Sequence, residues 1–264
     1  MIFVIVHGMM EHCGRYDHVR SYLESQGHAT YCVSYSCHFE RGGWDQLIEN
    51  LHQVIVSAMQ EHPSQKVVLL GHSMGSYVSQ LYATLYGENL HALVLTGTSY
   101  ESPLLMAFAN GLARLMGVAF GFKTGAQLIH HMVFDGLNKA FKPNRTDYDW
   151  LCSDPKIVDA YMSDPLCGQV CTFGFYRELF SNLALLFRLK TLARLPKSLP
   201  IFMISGAEDS LSHNGKRLAI LKKLYERVGH DLVSVRLYPG RHEILNEPVY
   251  KTVLTDVLKR LADA

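Results

Sequence analysis

"KVVLLGHSMGSYVSQLYATLYG", Lys66 to Gly87, carries three patterns in succession. Its first part, Lys66–Leu70, is a short apolar run rich in branched residues and reads as a buried strand. Its last part, Met74–Tyr86, repeats apolar residues at helical spacing. Between them, Gly71-His72-Ser73-Met74-Gly75 sets a serine between two glycines. A strand that turns directly into a helix strains the backbone at the corner and leaves no room for a Cβ on either side. Gly-x-Ser-x-Gly alone arises by chance in about one in ten chains of this size. The strand before it and the helix after it give it meaning, because together they lift the serine hydroxyl above a sheet.

Outward from this corner, the same alternation recurs. Ile2–Val6, Ala29–Tyr35, Ala92–Thr96, Leu199–Ser205 and Val233–Tyr238 read as further strands. Arg15–Gln26, Trp44–His62, Gly215–Val228 and Val249–Ala262 read as helices. Apolar strands alternating with helices imply an α/β fold, a mostly parallel sheet of about six strands covered on both faces. Such a sheet places its chemistry at the carboxyl ends of its strands. The alternation stops between Ser99 and Lys197, where Leu104–Val118, Gly125–Phe134, Lys156–Asp164 and Phe173–Leu189 read as helices and "FKPNRTDYDW" as a loop. The chain therefore divides into a core, 1–98 with 198–264, and a helical cap, 99–197, inserted before the strand that ends near Ser205.

Composition narrows the function. The chain has 264 residues, 48% of them hydrophobic and 19% charged, and a net charge of +1. This gives ample material for a core and no basic surface for nucleic acid. The six cysteines form no CxxC pair, and Cys167 and Cys171 have no histidine at zinc-ligand spacing. They read as reduced thiols of a cytoplasmic protein with no metal and no cofactor. "MIFVIVHG" is too short for a signal peptide. No run is expected to reach the length of a membrane span, since Asn110, Arg114 and several glycines interrupt Met106–Phe122.

A serine hydroxyl is a poor nucleophile until a base takes its proton. The base and its acid should lie at other strand ends, in the order serine, acid, histidine. "IFMISGAEDSLS" offers Asp209 four residues beyond its strand, and "VRLYPGRHEIL" offers His242 four residues beyond its own. Glu208 is the alternative acid. His72, inside the motif, is expected to pack or hydrogen-bond locally. The oxyanion donors are expected to be the backbone N–H of Met74 and that of Met9 in "HGMMEH", where Gly8 allows a tight turn.

"VHGMMEHCGRYDHV", "LLGHSMGSYVSQLY", "SGAEDSLS" and "YPGRHEILNE" resemble the α/β-hydrolase family, in its monoacylglycerol lipase and lysophospholipase-like branch, over nearly the whole chain. The resemblance implies Ser73 as nucleophile, Asp209 as acid, His242 as base and the Met9 and Met74 amides as oxyanion hole. It implies a serine carboxylester hydrolase of lipid metabolism, acting on a monoacylglycerol, lysophospholipid or similar acyl ester. Met106, Leu112 and Met116 of the apolar cap are the expected substrate lining, and the cap is a candidate for contact with lipid or micelles. The same triad would serve an acyltransferase or thioesterase, and a weakened binding protein would keep the fold. Two features depart from the family. The family has two more strands before the one at Ile2; either the sheet loses an edge here, which would favour self-association, or the true start lies upstream of Met1. Its Asp-x-Arg-Gly-His-Gly loop is replaced by "VSYSCHFERGGWDQL", shorter by about a dozen residues between Tyr35 and His38 when the two patterns are aligned. Oligomeric state is not legible in the sequence.

Overall fold

The computed structural model of the chain describes residues 1–36 and 43–263, so Cys37 and the departure at His38 lie outside the described residues. Six strands form one parallel sheet: β1 (Ile2–Val6), β2 (Ala29–Val33), β3 (Val67–His72), β4 (Ala92–Thr96), β5 (Ile201–Gly206) and β6 (Val233–Tyr238), in the order β2-β1-β3-β4-β5-β6. Every residue of β1, β3, β4 and β5 is buried, whereas the edge strands β2 and β6 are partly open. The predicted α/β fold is the observed one. β3 runs two residues further than its apolar run, because His72 still pairs with Thr96 of β4 before the chain turns at Ser73. β2 stops at Val33, two residues early, and frees Tyr35 to bend over His7.

Period-two alternation sorts the strand side chains into two layers. Ile2, Val4, Val6, Leu69, Leu95 and Met203 face one side, where α2 (Gly43–Glu61), α3 (Met74–Tyr86) and α9 (Lys216–Arg227) pack. Phe3, Ile5, Val68, Leu70, Val94 and Ile204 face the other, against α1 (Asp17–Ser25) and α10 (Tyr250–Ala262). The helices comply because their apolar residues fall on one stripe. In α2 the buried positions are Trp44, Leu47, Ile48, Leu51, Ile55 and Ala58.

Between β4 and β5 lie α4 (Pro103–Phe120), α5 (Gln127–Phe134), α6 (Pro155–Ser163), α7 (Phe173–Leu186) and the short α8 (Leu189–Leu192). Their core is continuous with that of the sheet, since Phe173, Phe175, Tyr176 and Leu183 of α7 join the layer that covers Val6 and Leu95. A separate cluster of Trp150, Leu151, Tyr161 and Cys167 closes the segment between α5 and α7.

Two expectations are corrected. α4 is, by length and composition, apolar enough to cross a membrane. Leu104 and Leu105 extend the apolar run on its N-terminal side, and Arg114 is its one charged residue. The cysteines are not all thiols, because Cys13 and Cys32 form a disulfide. Cys13 lies in the 3-10 turn before α1 and Cys32 in β2, with Cα atoms 5.9 Å apart. Nothing in their spacing of 19 residues signals the pairing, which β1–β2 adjacency creates. Cys152 and Cys167 are free and buried, and Cys171 is buried.

Candidate active site

Ser73 follows β3 with no intervening residue, at φ 49° and ψ −119°. Such a backbone costs about 1–3 kcal/mol in a residue with a side chain. Its N–H donates to Thr96 O at 2.9 Å. The flanking glycines are a steric necessity: a Cβ on Gly75 would lie 2.1 Å from Val6 O, and one on Gly71 2.5 Å from Gly75 O.

Asp209 stands in the turn after β5 and His242 in the loop after β6. The sheet brings both to the end of β3 that carries Ser73. His242 Nε2 lies 3.0 Å from Ser73 Oγ, and His242 Nδ1 lies 3.1 Å from Asp209 Oδ1. Asp209 also accepts the Leu211 N–H and the Ser205 hydroxyl, each at 2.9 Å. Burial by itself pushes the Asp209 pKa up. His242, the Ser205 hydroxyl and the Leu211 amide outweigh burial and hold the carboxyl below its ordinary range. For His242, burial pulls the pKa down and the Asp209 charge outweighs it, leaving the imidazole above its ordinary value. An ionised Asp209 can only accept from Nδ1, so the neutral ring carries its proton there and turns the Nε2 lone pair to the serine. Glu208 points into solvent. His72 is bonded to Thr96 Oγ1 at 3.1 Å, and burial, then the nearby His242, lower its pKa to about 3, so it packs as a neutral ring.

The turn from His7 to Glu11 lies directly against the serine, for a Cβ on Gly8 would come within 3.2 Å of Ser73 Cβ. Met9 and Met74 line the same cavity as Ser73. A buried network anchors the turn. Glu11 accepts the Gly8 N–H and the Tyr16 hydroxyl, and Arg15 bridges Glu11 and Glu243. The segment between α6 and α7 holds the turn from above, because the Tyr161 hydroxyl and the Gly168 N–H both donate to Met10 O, at 3.1 and 3.0 Å.

Above Ser73 lies a cavity of about 390 Å³. Leu105, Met106, Leu112, Ile129, Val133 and Leu183 give it a largely apolar lining, in which Glu11, Trp150, Tyr161 and His242 also take part. Met106 and Leu112 thus fall in the expected lining. Met116 does not: it lies one helical turn beyond Leu112 and packs on the core. The sequence reading did not single out Arg15, Trp150, Tyr161 or Glu243. Arg15 and Glu243 stand inside the quoted stretches "HCGRY" and "GRHEI", where a buried-charge argument could have found them. Trp150 lies in a segment read as a plain loop.

His12, Asp164 and Cys167 bring one nitrogen, one oxygen and one sulfur within 4.8 Å of one another. His12 Nδ1 accepts the Gly14 N–H, so Nε2 carries the proton and donates to Asp164 Oδ2 at 2.8 Å. That tautomer leaves no lone pair on Nε2 for a metal, and the group is a His–Asp hydrogen bond across the seam between core and cap.

Comparison with known proteins places the chain in a class. The family described as "Serine aminopeptidase, S33" (Hydrolase_4) matches residues 1–249, and the chain belongs to it. A monoacylglycerol lipase of Mycolicibacterium smegmatis is 28% identical over 97% of this chain and 86% of its own. The monoglyceride lipase of Homo sapiens is 26% identical over 94% of this chain and 76% of its own. Among solved structures, a thermostable carboxyl esterase of Bacillus coagulans matches with a TM-score of 0.85 at 22% identity, over 99% of this chain and 89% of that one. The fold is that of the α/β-hydrolases, and the protein is a carboxylic ester hydrolase.

Proposed function

We propose that the protein hydrolyses monoacylglycerols or similar single-chain acyl esters through a Ser73-His242-Asp209 triad. The observation that carries this reading is the hydrogen-bonded chain from Ser73 Oγ through His242 to Asp209, with Ser73 and His242 lining a largely apolar cavity. Ser73 Oγ attacks the ester carbonyl as its proton passes to His242 Nε2, and Asp209 stabilises the imidazolium. The Met9 and Met74 amides receive the negative oxygen. His242 then protonates the leaving alcohol, which departs, and the acyl group stays on Ser73. A water gives a proton to His242, attacks the acyl carbon and releases the fatty acid with Ser73 restored. No step needs a metal or an organic cofactor.

Cavity shape supports the substrate class. A volume of about 390 Å³ lies within the range of small-molecule sites, roughly 300–1,000 Å³. Leu112, Ile129 and Leu183 of the lining suit an acyl chain. The relatives named as monoacylglycerol lipases point the same way. The outer face of α4 exposes Leu104, Phe108, Leu115 and Val118, a surface suited to lipid or micelle contact at the cavity mouth.

Hydrolysis of p-nitrophenyl esters and monoacylglycerols from acetyl to stearoyl, alongside an aminoacyl p-nitroanilide, tests the reading. Long-chain monoesters should be preferred, and Ser73→Ala should abolish turnover and fluorophosphonate labelling while the fold persists. Preference for the anilide would return the chain to the peptidase activity of the family's description. Transfer of the acyl group to an added alcohol or thiol in place of water would make the protein a transferase.

A further inference from the structure

The Met9 N–H and the Gly8 carbonyl are opposite ends of one peptide group. A trans peptide is planar, and its C=O and N–H point in opposite directions. Whatever grips the Gly8 oxygen therefore aims the Met9 N–H. Two groups grip it: His7 Nδ1 at 2.8 Å and the Tyr35 hydroxyl at 3.1 Å. The single Tyr35 hydroxyl proton is shared in a three-centre bond between this oxygen and His7 O, the next carbonyl back and the nearer of the two, so it ties both peptides of the turn together. Tyr35 selects the histidine tautomer as well, since its backbone N–H reaches His7 Nε2 at 3.4 Å and leaves the ring proton on Nδ1. The two rings are stacked, with centroids 4.1 Å apart and planes within 9°. Burial lowers the His7 pKa, in keeping with a neutral ring that uses both nitrogens.

We infer that Tyr35 is a positioning residue for the oxyanion turn: its hydroxyl fixes the Gly8–Met9 peptide plane and so directs the Met9 N–H at the reacting carbonyl. The inference rests on the proposed role of the Met9 amide. Tyr35 stands where the chain leaves β2, two residues past its end at Val33. Donors on the Gly8 oxygen also polarise the amide and strengthen its N–H as a donor. None of these groups touches substrate, so the effect falls on the transition state, where the oxygen becomes negative.

Tyr35→Phe keeps the stacked ring and the backbone N–H and removes only the hydroxyl. Removing an oxyanion donor outright costs about 100- to 1,000-fold in kcat, so loosening its aim should cost about 10-fold or more. KM for a p-nitrophenyl ester and the acid limb of the pH profile should stay near those of the parent. Binding of an alkyl trifluoromethyl ketone, whose serine adduct places a negative oxygen in the same pocket, should weaken by the factor lost in kcat/KM. His7→Gln, which breaks the same carbonyl's other bond, should shift the same two quantities together. If Tyr35→Phe lowers the Tm, rates are taken at a temperature where circular dichroism shows the variant folded. An unchanged kcat and ketone affinity in folded Tyr35→Phe, with the parent active, overturns the role of Tyr35 alone. A parent chain that hydrolyses none of the esters overturns the reaction and this inference with it.

Discussion

The Trp150 indole lies against the His242 imidazole, with ring centroids 5.0 Å apart and planes at 42°. The Trp150 carbonyl accepts the His242 N–H at 3.3 Å, and the next carbonyl, Leu151, accepts the Glu243 N–H at 2.8 Å. A loop of the cap therefore holds the histidine by its ring and its backbone at once. Trp150→Ala should free the imidazole to leave the line between Ser73 and Asp209 and admit water beside it. We expect kcat to fall by about 10- to 100-fold, the scale of a misplaced catalytic group, with Trp150→Phe retaining more. Steady-state kinetics on one p-nitrophenyl ester would decide it; equal loss in the two variants would mean that ring contact is irrelevant.

Asp209 and Glu208 are neighbours with opposite environments, one buried against His242 and one in solvent. Asp209→Asn should lower kcat by about 10,000-fold through the wrong imidazole tautomer, with ester binding preserved. Glu208→Gln should act like the parent. The reverse result would transfer the acid to Glu208.

The pH profile follows from the raised His242 pKa. The base must be neutral, so kcat/KM should fall on acidification with a midpoint above the ordinary histidine value of about 6.5. In Asp209→Asn the largest charge opposing burial is gone and only those of Glu243 and Glu11 still oppose it, so the midpoint should move down. For stability the sign is the opposite of an acid's: a raised folded pKa contributes below the unfolded value and is lost as pH rises through the folded one. A parent midpoint below 6 would contradict the ion pair with Asp209.

Arg15 is about one-tenth exposed and bridges two carboxylates that are more deeply buried still, Glu11 and Glu243. Arg15→Met would leave both charges without a cation. Breaking a buried pair costs about 3–5 kcal/mol, and urea unfolding should show a loss on that scale. Glu243, whose carboxyl burial raises and Arg15 returns to below its ordinary range, should then take up a proton at higher pH. A loss under about 1 kcal/mol would place the network in solvent.

The Cys13–Cys32 bond closes a loop of 19 residues between the turn before α1 and β2. A loop of that length corresponds to about 3 kcal/mol of unfolded-chain entropy. Cys32→Ser, or reductant added to the parent, should lower the Tm. An identical melting curve with and without reductant would show that the bond does not contribute.

The strands, the corner at Ser73 and the order of its partners were legible because each has a local signal. Val67–Leu70 and Ile201–Ile204 are apolar runs, the corner needs Gly71 and Gly75, and Asp209 and His242 stand just past strand ends. Arg15 with Glu243, Trp150 with His242, and Cys13 with Cys32 have no such signal. Each pair meets only after the sheet has formed, and the first joins residues 228 apart. The apolar segment between β4 and β5 was legible as composition, but Met116 shows that composition does not say how far along a helix a cavity reaches.

Met10 O accepts from Tyr161 and Gly168, so the turn that carries the proposed Met9 donor is held by atoms of the segment inserted between β4 and β5. The cap is thus not an interchangeable module. A chimera that borrowed another hydrolase's 99–197 segment to change chain-length preference would lose this grip on the turn. Tailoring of selectivity in this scaffold has to proceed side chain by side chain along the cavity wall, with the segment from Tyr161 to Gly168 kept as it is.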